Sequence, residues 1–339
     1  MGRLPAIDWA PLAIPMERRL QTMAVMHYVF TFLILPVMCV WVPVYILMTR
    51  VWWLMVLYIV WFYYDFDTPK KGSRPTRWYR KSALWRHFAN YFPITLVKTA
   101  ELPPDKNYII ASHPHGVISI GAFTSLCTDA TDFSTKFPGI SSTLMTLVGQ
   151  FWFPFRREYS MLTGGVESSR DSLKWLLRNP GRGRAVGIVV GGAAEALDAK
   201  PGCYDLNLAN RRGFIRFALR FGADLVPMYN FGENDIYHQF PNPRGSKLRS
   251  IQVYIKKMFG FTPPLLRGRG IFNYSFGLLP HRTPITSVMG APISVDRVED
   301  PTEAQVDELH ARYCEALSKL FDDHKTKYGV PANAHLHYY

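Results

Sequence analysis

Two histidines bracket a proline and precede a glycine at His113-Pro114-His115-Gly116. The tetrapeptide follows residues 106–112 (KNYIIAS), which read as a buried strand. Pro114 fixes the backbone between the two rings, and Gly116 allows backbone and ligand to approach closely. A helix opening at Gly116 sets His115 at its positive end, where the dipole favours the neutral imidazole that a general base needs. Three readings compete for this motif. One is a base that deprotonates a hydroxyl nucleophile. The second is an HxH metal pair for zinc or iron. The third is a strand-to-helix turn whose histidines only hydrogen-bond. A dinuclear hydrolase wants Asp and His close behind, but Val117, Ile118, Ser119 and Ile120 stand there.

A histidine base is held through its other ring nitrogen, and Glu195 is the candidate partner. It stands in Gly191-Gly192-Ala193-Ala194-Glu195, directly behind the strand pattern RAVGIVV at residues 184–190. Ligands of open α/β sheets gather beyond strand carboxyl ends, and both motifs occupy that kind of position. Backbone N–H groups near Gly116 or at Gly191 and Gly192 are candidates to face an oxyanion. On spacing alone, a solvated helix residue is an equal reading of Glu195. Other chemistries lack their signatures. A nucleophile elbow requires G-x-S-x-G, and residues 116–121 read GVISIG, one residue too many. No GxxxxGKS/T phosphate loop and no kinase or dehydrogenase fingerprint occurs. Arg156, Arg157, Arg211, Arg212 and Arg269 are candidates to hold an anionic donor, since a planar guanidinium binds two phosphate oxygens. Surface charge is the alternative for each.

These residues need a scaffold, and the pattern alternates strand with helix. Residues 116–128 suit a helix. Ser168 and Ser169 cap another that reaches about residue 178, where Asn179-Pro180-Gly181 stops it. Residues 211–221 form a third, with Gly222 as its C-terminal cap, and residues 223–229 (ADLVPMY) a further strand. Thr302 opens a long helix with Gln305 as capping-box partner, and Val306, Leu309, Tyr313, Leu317 and Leu320 make one apolar face. The alternation predicts an α/β fold, without giving strand order.

Ahead of this scaffold, residues 21–64 carry one charge, Arg50. Residues 23–48 hold no Asp, Glu, Lys or Arg, and residues 51–64 (VWWLMVLYIVWFYY) extend the run. The stretch exceeds the roughly 20 residues of one membrane span. Pro36 and Pro43 interrupt it, so a helical hairpin turning near residues 41–44 is expected, or a broken re-entrant pair. A signal peptide would be shorter and end in a small-residue cleavage site. Basic residues flank both sides, Arg18 and Arg19 before, and Lys70, Lys71, Arg74, Arg77, Arg80, Lys81 and Arg86 after. By the positive-inside rule both ends face the cytosol. The expected organisation is a cytosolic segment 1–22, a membrane hairpin 23–64 and a cytosol-facing domain 65–339.

Composition agrees. The 339 residues are 48% apolar with a formal charge of +13, and residues 65–339 hold 35 Lys and Arg against 24 Asp and Glu. That excess suits an anionic membrane or an anionic substrate. No zinc finger, RNP or helix-turn-helix pattern supports nucleic acid. Cys39, Cys127, Cys203 and Cys314 lie far apart, which excludes a disulfide scaffold and fits a reducing compartment.

HPHG behind a strand, Tyr91-Phe92-Pro93 upstream, VVGGAAEAL at 189–197 and ADLVPMYNFGEND at 223–235 together resemble the type-2 diacylglycerol acyltransferase family, which includes monoacylglycerol and wax-alcohol acyltransferases. ERRLQT at 17–22, LVKTAEL at 96–102, GRG at 268–270 and HKTKYGVP at 324–331 extend the resemblance over nearly the whole chain. It implies an endoplasmic-reticulum membrane protein, also found at lipid droplets, that esterifies mono- or diacylglycerol from acyl-CoA. Acyl-CoA is then a co-substrate, and no cofactor or metal is needed. The fold implied is a membrane-anchored α/β acyltransferase domain similar to glycerolipid acyltransferases, whose site is a His-x4-Asp pair. Here Ile118 and Ile120 stand five residues after the two histidines, so the acid must come from elsewhere, and Glu195 is expected to orient His115. The family's lipid-binding pattern FLxLxxxN corresponds to Phe32, Leu33 and Leu35, with Cys39 in place of Asn. Acceptor and oligomeric state, a homo-oligomer included, stay open. The rivals are a wax-alcohol acyltransferase, a non-catalytic lipid-binding hairpin protein and a metal-dependent lipid hydrolase.

Overall fold

The computed structural model of the chain describes residues 7–11, 13–178, 183–259 and 264–339. The expected helix stop at residues 179–181 lies outside the described residues. Seven strands make the main sheet: β1 (Thr95–Lys98), β2 (Tyr108–His113), β3 (Ser141–Thr146), β4 (Gly165–Glu167), β5 (Arg184–Val189), β6 (Asp224–Phe231) and β7 (Thr286–Met289). Their order is β1-β7-β6-β2-β5-β3-β4. From β6 to β4 all pairings are parallel, while β7 runs antiparallel to β6 and parallel to β1.

The central strands β2 and β6 are buried along their whole length, which is why they read as near-continuous apolar runs. Alternate residues of β2 serve the two faces. Ile109 and Ala111 join a core beneath helices 170–177, 213–221 and 303–324, whereas Tyr108 and Ile110 join a core beneath helix 120–127. Val306, Leu309, Tyr313, Leu317 and Leu320 of the last helix are all buried, and the Thr302–Gln305 capping box is formed. Gly222 adopts the left-handed cap at φ +61.

The apolar N-terminus departs from expectation. Helix α1 (Met16–Val29) runs through a π-helical turn, Phe30–Ile34, into α2 (Leu35–Leu47). The 32-residue helix Met16–Leu47 is long and apolar enough to cross a membrane. The chain reverses at residues 48–52, not at 41–44, and α3 (Trp53–Tyr64) packs back against α2. Pro36 and Pro43 therefore lie within the helix. The widened turn just before Pro36 gives its ring room against the carbonyl four residues earlier. The expected boundary at residue 23 falls inside α1, and α1 is part of the packed body. Ala24, Val25, Tyr28 and Val29 share a core with Trp85 and Phe88 of α4 (Ala83–Tyr91).

Candidate active site

β2 ends at His113, and its neighbours β5 and β6 end on either side of it. The His113 ring is fully buried, with Nε2 3.0 Å from the Tyr313 hydroxyl. That hydroxyl gives its one proton to the Ala111 carbonyl at 3.2 Å. Tyr313 must then accept from His113, so the proton of His113 sits on Nε2. Burial pushes its pKa down to about 3. His113 is a neutral strut, and its Nδ1 has no hydrogen-bond partner. The peptide bond to Pro114 is cis.

His115 is half-buried and holds the opposite tautomer. Its Nδ1 lies 3.0 Å from the Gly116 carbonyl, which can only accept, so Nδ1 carries the proton. Nε2 keeps its lone pair, and no hydrogen bond reaches it among the described residues. Burial lowers the pKa of His115, and the Gly116 contact partly opposes that.

The ring-to-carboxylate bond expected between His115 and Glu195 is replaced by another. Glu195 lies on a short helix, Gly192–Ala196, beyond β5 and is buried. Its Oε1 accepts the backbone N–H of His115 at 2.5 Å, and its Oε2 accepts that of Asn207 at 2.8 Å. The carboxylate folds back over Gly191, where any Cβ would collide with it. Burial raises the Glu195 pKa, while the two N–H groups and Arg211 oppose the rise.

The helix expected from Gly116 starts later, as α5 (Ile120–Cys127). A turn intervenes, with Gly116 at φ +59 and Ser119 at φ +52. The positive end of α5 therefore faces a residue that the sequence reading passed over. Glu233 accepts the N–H groups of Ile120 and Gly121, each at 2.7 Å. Its signal was present as Phe231-Gly232-Glu233, a glycine-led acid at a strand end. Asn230 was missed in the same way. Its amide joins Ser112 Oγ, the His113 carbonyl and Ser287 Oγ.

Among the described residues no group of three His, Cys, Asp or Glu side chains that could hold a metal ion gathers. The arginines also sort out. Arg157 is buried and its charge is met by Asp65 at 2.9 Å, which explains its burial. Arg156 is buried against Ser160 Oγ, Gln150 Oε1 and the Tyr159 ring. Arg269 is buried over Tyr274, and Arg212 pairs with Asp307. Arg211 alone of the five is exposed beside the site, bonded to the Gly191 carbonyl at 3.3 Å. Gly192 adopts φ +61 at the head of its helix. Tyr91 and Phe92 are buried, with the Tyr91 hydroxyl on the Pro280 carbonyl, and exposed Pro93 leads into β1. Phe32 stacks on Tyr28 in the π turn, Leu33 is exposed and Leu35 begins α2 half-buried.

A largely parallel sheet with acid–base side chains beyond the carboxyl ends of three adjacent strands is the framework of an α/β enzyme. A family model described as diacylglycerol acyltransferase matches residues 44–338. The chain is 46% identical over 327 residues to 2-acylglycerol O-acyltransferase 1 of Bos taurus, covering 96% of this chain and 98% of that one. It is 48% identical over 316 residues to diacylglycerol O-acyltransferase 2 of Homo sapiens, covering 93% and 81%. No solved structure matches. The chain belongs to the diacylglycerol acyltransferase family and is an acyltransferase.

Proposed function

We propose that the chain transfers an acyl group from acyl-CoA to the hydroxyl of mono- or diacylglycerol, with His115 as general base. The carrying observation is the tautomer: Nδ1–H is tied to the Gly116 carbonyl, and Nε2 is left with a free lone pair. Nε2 takes the hydroxyl proton as the acceptor oxygen attacks the thioester carbonyl. The C–S bond then breaks, and the CoA thiolate leaves with the proton that the imidazolium returns. The Gly116 carbonyl steadies the imidazolium through Nδ1–H. Glu195 acts on the backbone of this turn and not on the ring. The Gly116 N–H is given to no acceptor among the described residues, which supports its use as the oxyanion donor in this reading. Base and oxyanion donors supply roughly 10²–10⁴-fold each, and positioning of two substrates the remainder. Arg211 meets the CoA phosphates.

The α2–α3 pair acts as the membrane hairpin, in the endoplasmic reticulum, with both basic flanks cytosolic. An acylglycerol then enters from the bilayer and acyl-CoA from its surface. The names of the relatives support acylglycerol acceptors. Transfer of labelled acyl-CoA to a panel of mono-, diacylglycerol and long-chain alcohol acceptors tests the assignment. His115→Ala is expected to lose at least about 10²-fold in kcat with membrane association unchanged. Retention of wild-type kcat would overturn the base.

A further inference from the structure

The strand order places a buried carboxylate on each side of the histidine turn. β5 and β6 both pair with β2. Beyond β5, Gly191 and Gly192 lead into Glu195. Beyond β6, Gly232 at φ +86 leads into Glu233, and a side chain on Gly232 would strike the Pro284 carbonyl. Glu195 holds the near end of the turn through the His115 N–H, and Glu233 holds the far end through Ile120 and Gly121.

The segment between them needs holding. Gly116 and Ser119 both occupy the left-handed region, and Ser119 does so with a side chain. Such backbone persists only where its surroundings impose it. The local tie is the Ser119 hydroxyl on the His115 carbonyl at 2.8 Å. Glu233 adds a second grip. Its Cγ packs under Gly116, and a Cβ there would come within 2.6 Å of it. Glu233 is 1% exposed, and no Lys or Arg bonds it among the described residues. Burial drives its pKa up to about 7, against the pull of the two N–H groups. The fold therefore keeps an acid where it is costly, and keeps it against the residue that carries the His115 Nδ1 contact.

We propose that Glu233 is a positioning residue: it pins the first turn of α5 to β6 and so sets where the His115 imidazole stands. This rests on His115 being the base. A glutamine cannot replace both acceptor oxygens, because its amide nitrogen only donates.

The test measures kcat, both KM values and the thermal midpoint of the full chain in detergent for Glu233→Gln, Glu233→Asp and His115→Ala. Glu233→Gln is expected to lower kcat roughly 10–100-fold per folded molecule, with both KM values within about twofold. Glu233→Asp, with both oxygens but a shorter stem, is expected between the two. A wild-type kcat for Glu233→Gln beside an inactive His115→Ala overturns the positioning role alone. Full activity of His115→Ala overturns the base itself. A fall confined to the yield of folded protein, or to KM, shows a purely structural residue. Should Glu233→Gln not fold, Glu233→Asp is read the same way, and a wild-type kcat there overturns the proposal.

Discussion

His113 and His115 sit two residues apart and carry their protons on opposite nitrogens. The difference follows from their partners: a tyrosine hydroxyl already committed to the Ala111 carbonyl, and a peptide carbonyl that can only accept. His113 must stay neutral to keep its place. Its pKa is about 3 in the folded chain and near the ordinary 6.5 when unfolded. A depressed base stabilises the fold above the unfolded value and loses that stabilisation as pH falls towards the folded one. Below pH 6.5 the loss runs at about 1.4 kcal/mol per pH unit. Glu233 works in the other direction, since its raised pKa means the folded state takes up a proton first as pH falls from about 7. Comparing wild type with His113→Gln by thermal midpoint from pH 7 to 5 isolates the histidine. The wild type is expected to show the steeper loss on acidification, and parallel slopes would disprove it. The histidine pair was legible from residue type, spacing and its strand-end position. The contact of Glu195 was not, because whether a carboxylate meets a ring or a backbone N–H depends on the adjacent strand and the curl of one short helix. The arginines were legible as charge but not as partners: Asp65 lies 92 residues from Arg157.

Elements show the same division. Local rules placed β2, β5, β6, the capped helix at Thr302 and the Gly222 cap within a few residues. They failed at the start of α5, where Glu233 supplies a cap from 113 residues away. They failed again at the apolar turn, where proline marked a widened helix and not a reversal. The join between α3 and the body is also long-range. Asp65 follows α3 directly and receives Arg157 at 2.9 Å and Arg74 at 2.6 Å, while Tyr58 of α3 bonds Glu158. Removing one partner of a buried ion pair costs about 3–5 kcal/mol. Arg157→Met is therefore expected to lower the thermal midpoint and the yield of folded enzyme while leaving the KM for acyl-CoA unchanged. A raised KM with unchanged stability would restore the phosphate-binding role that its burial argues against.

Over the whole molecule, one apolar run has two destinations. Its first part, α1, belongs to the core of the catalytic body, and the Tyr28 ring packs on Phe88 and Phe123 at 4.9 Å each. Phe123 lies on α5, so this helix reaches the element that carries the end of the histidine turn. Its second part, α2 with α3, exposes most of its apolar side chains: Trp41, Tyr45 and Trp53 are each at least half exposed. Composition could not separate the two, because a lipid-facing helix and a core helix use the same residues. Deletions can. A chain lacking residues 1–64 strips Ala24, Val25, Tyr28 and Val29 from the core around Trp85. Each large side chain among them contributes about 1.5–3 kcal/mol of burial, against a total stability of about 5–15 kcal/mol. That chain is expected to aggregate. A chain that keeps α1 and replaces residues 35–64 with a short flexible linker retains the core around Trp85 and loses the largely exposed pair with its Tyr58–Glu158 contact. It is expected to fold, by circular dichroism and size-exclusion chromatography, and to stop floating with phospholipid vesicles. Vesicle flotation by that second chain equal to the full protein would place the membrane contact elsewhere on the basic body, and a soluble, active chain from residue 65 would return α1 to the membrane.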